Sequence, residues 1–297
     1  MRNYLNQYSK GIFFVFLLIF TFVSHGNQLS DLSKWDAFWI SFGSDSNKAN
    51  SWTAFRKTIV IKNVPSSAIT AISADSKYWL WINGELVVFE GGIKRGPTPN
   101  DTYYDEIDIL KSGINTIAVL AWYFGKEGFS HKSSGKAGFI FDCQTPDFQI
   151  LSDKSWRCTL VKAYQSAILS VPNSRLSEAN ILYDARLDLG KWQEDNYPEN
   201  EMMAAVELGK AGVAPWNKLI LRPVPLWKDF GLKKYTNQKF SPSSIVDTII
   251  CELPYNAQIT PYFKLEPSSG QKIVVCTDNY LFYNGGDHNI RAEYLTI

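Results

Sequence analysis

The chain has 297 residues, enough for about two domains, and 45% of them are hydrophobic. Thirty lysines and arginines against twenty-nine aspartates and glutamates give a net charge of +1, and neither sign forms a block, which argues against a nucleic-acid partner. Aromatic residues make up 14% of the chain, a composition typical of all-β folds and of surfaces that stack against rings.

The N-terminal segment has the pattern of a signal peptide. A basic start precedes an apolar run at 12–23 in which Thr21 is the only polar residue. About a dozen apolar residues are too few to span a bilayer but match the core of a signal peptide. We expect a signal peptide over 1–26, a periplasmic or secreted protein, and no membrane contact after cleavage; an uncleaved anchor is the alternative.

Residues 78–88 predict a β-hairpin. Asn83-Gly84 lies between two alternating apolar runs, and a type I′ turn needs positive φ at both central residues, which Asn and Gly adopt readily. The first strand is apolar on both faces, and Trp79 and Trp81 share one of them. Since the other face fills a core, the two tryptophans face either a neighbouring domain or a ligand.

The region from 35 to about 141 alternates strand-like runs with turn signals. Its predicted strands are 54–62, 69–74, 77–82, 85–89, 114–122 and 138–141. Closely spaced strands without a convincing helix predict a β-sandwich or jelly roll, which we place at 33–145. A loop rich in Gly and Pro, 90–101, is long enough to have a function.

Two more β-rich regions follow. Region 146–222 is interpreted as an elaboration of the same sandwich, and within it 199–208 fits either a helix or a strand. Region 223–297 opens with Pro-Val-Pro and is predicted to start a further β-sandwich domain. Because the chain stops on an alternating strand at 290–297, we expect this domain to be truncated, the edge formed by that strand to be unpaired, and the chain to associate.

The cysteines leave two alternatives open. In an exported chain an even number permits disulfides, and Cys251 and Cys276 lie in strand-like runs that a bridge could join. Free buried thiols are favoured, because a chain of this length can bury a large enough core without disulfides. The spacing of potential ligands resembles neither a zinc site nor a calcium loop, so we expect no cofactor, although calcium bound by loop carboxylates stays open.

Five segments together carry a resemblance to a known family. They are 74–84 (ADSKYWLWING), 104–110 (YDEIDIL) leading to 113–119 (GINTIAV), 183–186 (YDAR) with 190–192 (GKW), 253–258 (LPYNAQ) and 290–294 (IRAEY). In this order they resemble the N-terminal, non-catalytic β-domains of bacterial α-L-rhamnosidases, a glycoside hydrolase family. The first two segments are shared with the galactose-binding-like jelly rolls of other glycosidases, whereas the Asp-Ala-Arg and C-terminal segments make the match more specific.

The resemblance implies β-domains ahead of an (α/α)-barrel that hydrolyses terminal α-L-rhamnosides with inversion. In the family both catalytic carboxylates come from that barrel, whose twelve helices would need roughly 140 residues. This chain has no such barrel, so we expect no catalytic residue in it. It is predicted to be an accessory region that meets rhamnose-containing glycans beside a separate catalytic domain. The alternatives are a stand-alone carbohydrate-binding protein and a purely structural bracing module.

The acidic residues of the β-regions are interpreted as structural. Asp184 and Arg186 lie two apart and share one face if the chain is extended, and we interpret them as forming a structural ion pair to neighbouring chain. The acids of 104–110 are expected to be solvated or to cap backbone amides.

Sugar recognition needs an aromatic face against the ring and planar polar groups that match hydroxyl pairs. The candidate contacts are Trp79, Trp81, Asn100, Asp101, Tyr103 and Trp122. For Trp79 and Trp81 the alternative is packing against the second region. Asn100 and Asp101, on the Gly/Pro-rich loop, are the least constrained by structure.

Overall fold

The computed structural model is all-β, as the sequence predicts. It describes residues 35–92, 102–107, 112–126, 131–166, 181–242, 247–255, 261–264, 266, 268–276 and 290–296. Within these ranges the regular structure consists of strands and two short 3-10 turns, Ser44–Asn47 and Ala185–Leu187. The strands are β1 Phe38–Ser41, β2 Ser51–Ile61, β3 Ile69–Asp75, β4 Lys77–Ile82, β5 Glu85–Gly92, β6 Thr102–Ile107, β7 Gly113–Tyr123, β8 Gly138–Gln144, β9 Gln149–Leu151, β10 Arg157–Leu160, β11 Tyr164–Ser166, β12 Ile181–Tyr183, β13 Met203–Ala204, β14 Val206–Lys210, β15 Leu219–Leu221, β16 Asn237–Pro242, β17 Asp247–Glu252, β18 Lys272–Cys276 and β19 Ile290–Leu295.

Two sheets form a β-sandwich in the first of two compact units, Met1–Trp227 and Lys228–Ile297. The first sheet has the strand order β14-β1-β8-β3-β6-β15, with β9 paired to β8, and the second has the order β13-β10-β2-β7-β4-β5. Neighbouring strands are antiparallel except β15, which runs parallel to β6. Strands of region 146–222 therefore extend both sheets.

Three apolar layers follow from the two-residue period of the strands. The central layer fills the space between the sheets and includes Ile40, Phe55, Ile72, Leu80, Val119, Phe139 and Trp156. The alternate residues of the same strands build a second layer on the outer face of the second sheet and a third on the outer face of the first. Both sheets thus bury much of both faces, and the sandwich has three cores rather than one.

The hairpin predicted at Asn83-Gly84 is present and joins β4 to β5. Both turn residues have positive φ, 55° and 81°. The Oδ1 of Asn83 accepts a hydrogen bond from the Thr116 amide at 2.9 Å, which ties the turn to β7. The conformation and this hydrogen bond together give Asn83 a structural role in the turn.

The 199–208 segment, which fitted a helix or a strand, forms β13 and β14. Cys143 and Cys158 are buried and are not in a disulfide, and Cys251 is exposed and also not in a disulfide, so the bridge to Cys276 is not formed. The side chain of Cys276 lies outside the described residues.

In the unit Lys228–Ile297, the described residues form two two-stranded sheets, β16–β17 and β18–β19. β19 pairs antiparallel with β18, from Lys272 opposite Leu295 to Cys276 opposite Ile290. Within the described strands its other edge is unpaired, as expected for the strand at 290–297. Of the strand predicted at 258–265, the described residues 261–264 are not in strand.

None of the helices in the described ranges has the length and hydropathy needed to cross a membrane. The predicted signal peptide, 1–26, lies outside the described residues.

Candidate functional site

The outer face of the second sheet carries a stack of aromatic rings. Trp52 on β2 lies at its centre, with its ring 4.4 Å from that of Trp122 and 5.4 Å from that of Trp79, and both pairs are nearly parallel. Tyr164 stacks on the same indole at 4.1 Å. Each such pair contributes roughly 0.5–1.5 kcal/mol beyond burial. Trp52 and Trp122 are buried, whereas Trp79 is half-buried, so the stack reaches solvent at the β4 side.

A cover segment, residues 181–202, lies over another part of this face. It is fastened by Arg56, a β2 residue that is 1% exposed. The Arg56 guanidinium forms an ion pair with Glu199 at 2.8 Å and donates to the backbone carbonyls of Trp192 and Asp195 at 3.1 and 3.0 Å. Trp192 then packs edge-on against Trp81 at 5.8 Å. The interpretation that this face packs against the second region is therefore correct for Trp81.

The part of the face that stays open is the β4–β5 margin, which we define by the side chains of Lys77, Trp79, Trp81, Leu86, Phe89 and Glu90. Leu86 is paired directly with Trp81 and is 46% exposed. Phe89 is 40% exposed and meets Trp79 edge-on at 6.4 Å. Half-buried and exposed rings on the last two strands of a sheet give the flat, accessible aromatic surface that stacks against a sugar.

A polar pair borders this aromatic surface. Lys77 Nζ lies 3.1 Å from Glu90 Oε2, and the two side chains are 19% and 27% exposed. The same ammonium lies 5.9 Å from the centre of the Trp122 ring. Trp122 itself donates from Nε1 to Asn50 Oδ1 at 2.7 Å. The margin therefore combines aromatic faces with one hydrogen-bond donor group and one acceptor group. A sugar ring with hydroxyl groups can make both kinds of contact there.

The predicted contact residues separate into three groups. Trp79, Trp81 and Trp122 share the outer face of the second sheet, as the alternation of β4 and the β4–β7 pairing dictate. Tyr103 lies on β6 in the other sheet and is half-buried, away from the stack. Asn100 and Asp101 lie outside the described residues. The structure thus brings three of the six candidates together.

Sequence reasoning missed Lys77 and Glu90, although a signal for them exists. A two-residue hairpin turn that pairs Ile82 with Glu85 would place Lys77 opposite Glu90 if the register continued unchanged. In the structure the register shifts along the hairpin, and Lys77 stands opposite Gly92. The long lysine side chain still reaches Glu90 diagonally.

Asp105 on β6 is buried in a network rather than solvated, and it also accepts a hydrogen bond from the Gly92 backbone amide at 3.3 Å. Its carboxylate forms an ion pair with Arg222 at 2.5 Å and accepts a hydrogen bond from the Tyr78 hydroxyl at 2.6 Å. Burial and the neighbouring Asp105 raise the pKa of Tyr78 well above its usual value. Arg222 also donates to the Gly92 carbonyl at 3.0 Å. These contacts fasten the end of the first unit to the sandwich.

A second polar cluster contains residue types used in nucleophilic catalysis. Ser76 Oγ lies 3.1 Å from His131 Nε2 and 3.1 Å from Asp75 Oδ1. It also accepts from the Phe124 amide at 3.1 Å. The serine therefore lies between the carboxylate and the imidazole, whereas a nucleophilic triad places the imidazole in the middle. Since the three side chains are 1% exposed or less, substrate cannot reach them, and the cluster is structural.

Asp184 and Arg186 were expected to form a structural ion pair to neighbouring chain, but they pair with each other at 2.6 Å. Asp184 also accepts from the Arg186 amide at 3.1 Å and caps the short turn Ala185–Leu187. The hydrogen bond from Arg186 lowers the pKa of Asp184. Within the described ranges, groups of three or more His, Cys, Asp or Glu side chains placed to hold a metal ion are absent.

The fold is similar to that of α-L-rhamnosidases. No protein-family model and no curated protein sequence matches the chain. Among solved structures, the family GH78 rhamnosidase of Bacillus sp. GL1 matches 65% of this chain with 28% identity and a TM-score of 0.54. The α-L-rhamnosidase of Aspergillus terreus matches 69% with 20% identity and a TM-score of 0.51, and that of Dictyoglumus thermophilum matches 69% with 19% identity and a TM-score of 0.50.

The matched region is a small part of each of these proteins. It amounts to 20% of the Bacillus chain and 24% of each of the other two. The resemblance to α-L-rhamnosidases that the sequence motifs indicate is therefore confirmed by the fold, over a region that makes up about a fifth to a quarter of those proteins.

Proposed function

We propose that this chain is a carbohydrate-associated accessory region of an exported, α-L-rhamnosidase-like glycoside hydrolase that acts on rhamnose-containing glycans. The observation that carries the proposal is the β4–β5 margin, where aromatic rings on two neighbouring strands remain open beside a donor and an acceptor. The similarity to three rhamnosidases supports the glycan class.

The binding mode follows from the chemistry of the margin. The C–H face of a sugar packs on the half-buried indole of Trp79, and Phe89 contacts the edge of the sugar ring. Because Trp79 is held against Trp52 at 5.4 Å, its ring is fixed before the ligand arrives, which lowers the entropy cost of binding.

Calorimetric titration of the purified protein with L-rhamnose and with a rhamnose-containing oligosaccharide tests this proposal. We expect Trp79→Ala to weaken binding about tenfold, since an aromatic stacking contact contributes roughly 0.5–1.5 kcal/mol beyond burial and about 1.4 kcal/mol is tenfold in affinity. Trp227→Ala is the matched control, because this tryptophan is 56% exposed and lies outside the margin. Equal affinity of the parent protein and the Trp79→Ala variant would refute the site.

We propose that the chain has no rhamnosidase activity of its own. Inverting hydrolysis needs an acid and a base about 6.5–9.5 Å apart on opposite sides of the bond. Two carboxylates that the sequence offers for this role, Asp105 and Asp184, are each paired with an arginine. An aryl α-L-rhamnoside should therefore not be turned over, and turnover at the rate of an intact enzyme would contradict the proposal.

A purely structural role is the second candidate. It is favoured by the burial of Trp52 and Trp122, which shows that most of the aromatic stack serves the packing of the domain itself. On this alternative the region braces a catalytic domain, and neither rhamnose nor its oligosaccharides bind the margin.

We also propose that the protein is exported. The apolar run at 12–23 supports this, and N-terminal sequencing of the protein from the producing cell tests it. A mature chain that begins near residue 27 is expected. An N-terminus at Met1 on a cytoplasmic protein would refute export.

A further inference from the structure

We infer that the Lys77–Glu90 pair makes the β4–β5 margin selective for uncharged sugars over sugars that carry a carboxylate. The inference rests on the proposed function, because it assigns a ligand class to the same surface. It differs in naming the two polar side chains that set the selectivity.

The position of the pair makes it available to a ligand on Trp79. Lys77 and Trp79 are two residues apart on β4 and therefore point to the same face. Phe89, which meets the Trp79 ring edge-on, is the neighbour of Glu90 on β5. The ion pair thus borders the exposed aromatic surface from both strands.

The chemistry of the pair suits hydroxyl groups. The ammonium of Lys77 has three donors and uses one toward Glu90 Oε2 at 3.1 Å. The carboxylate of Glu90 has a second oxygen that can accept from a hydroxyl. A hydroxyl pair on one sugar ring can therefore accept from Lys77 and donate to Glu90 without separating the two side chains.

A uronate would meet a different environment. Its carboxylate could approach Lys77 only by competing with Glu90, whose negative charge is already in place. The other charges near this margin do not compensate. Lys191 and Glu194 pair with each other at 2.9 Å, with Glu194 beside the hairpin turn, and Glu85 adds a negative charge at that turn. Like charges placed together are the usual means by which a site rejects a competitor.

The test compares two probes, a rhamnose disaccharide and a glucuronosyl-rhamnose disaccharide, by calorimetric titration at low salt. The parent should bind the neutral probe about tenfold more tightly than the uronate. Lys77→Met keeps an apolar stem over Trp122 and should weaken the neutral probe about tenfold, since one charged hydrogen bond is lost. Glu90→Gln keeps an acceptor and should bring the two affinities within about threefold of each other.

Two control variants match these changes on the other sheet. Lys210→Met removes a lysine that lies 5.7 Å from the Phe38 ring, and Glu207→Gln removes a carboxylate that accepts from the Lys154 amide. Both should bind the two probes as the parent does. Circular dichroism of all four variants checks that each one is folded.

The outcomes separate the inference from the proposed function. If both probes bind and Trp79→Ala weakens them, but Lys77→Met and Glu90→Gln leave the ratio unchanged, the proposed function stands and the inference is wrong. If neither probe binds, both are wrong. If the uronate binds the parent as tightly as the neutral probe, the selectivity is refuted.

Discussion

The fastening of the cover segment by Arg56 makes the sharpest prediction about stability. Arg56→Met replaces a guanidinium that is 1% exposed with a side chain of similar reach but without donors. The carboxylate of Glu199 and the carbonyls of Trp192 and Asp195 then lose their partner. We expect the cover segment to detach from the sheet before the sandwich itself unfolds.

The magnitude follows from the three contacts. A hydrogen bond from a charged donor contributes roughly 1.5–3 kcal/mol, and breaking a buried pair costs roughly 3–5 kcal/mol. Glu199 is 33% exposed, so water compensates for part of its loss, and the methionine retains the apolar contacts of the stem. We therefore expect a loss of about 3 kcal/mol, equivalent to a fall in Tm of about 6–12 °C for a unit of this size.

Urea unfolding followed by tryptophan fluorescence measures the loss, and limited chymotrypsin digestion locates it. Cleavage at Trp192 or Tyr197 should precede cleavage elsewhere in Arg56→Met. Lys191→Met is the control, because its ion pair with Glu194 is 82% and 53% exposed and should contribute little. An Arg56→Met midpoint that matches that of the parent would show that the three contacts do not hold the segment.

Three further predictions concern other buried positions. Arg222→Met leaves a buried carboxylate unpaired and should lower the free energy of unfolding by about 3 kcal/mol in urea titration, and an unchanged midpoint would contradict it. Gly138→Ala adds a methyl group that overlaps the Trp216 ring, and a Tm equal to that of the parent would refute the expected loss of about 1–3 kcal/mol. Burial raises the pKa of Cys158 to about 12, so mass spectrometry should find Cys251 alkylated and Cys158 unmodified at pH 8 until urea is added.

Local patterns of the sequence predict much of the first unit. The Asn83-Gly84 turn and the apolar alternation around it depend only on neighbouring residues, and β4 has the predicted bounds, Lys77–Ile82. The long strand predicted at 114–122 is Gly113–Tyr123. These elements are predictable because turn chemistry and the two-residue period are encoded within about ten residues.

Contacts between distant segments are not predictable in this way. Arg56 and Glu199 are 143 residues apart, and nothing near either residue indicates the other. The pairing of β15 with β6 also joins distant segments and runs parallel, against the antiparallel pattern of the rest. The Lys77–Glu90 contact is intermediate, because the turn predicts it but the register shift changes how it is made.

The aromatic content of the chain suggests a large sugar platform, but the packing restricts where a ligand can bind. Trp39, Trp156 and Trp216 are fully buried, and Trp52 and Trp122 are nearly so. These rings cover both faces of both sheets. A sandwich whose outer faces were exposed to solvent would need apolar residues on its inner faces only. A ring that is fully buried in the packing has no face left for a sugar. A ligand on this face is therefore confined to the two strands that the cover segment leaves open, where the rings are already held in place by the stack behind them.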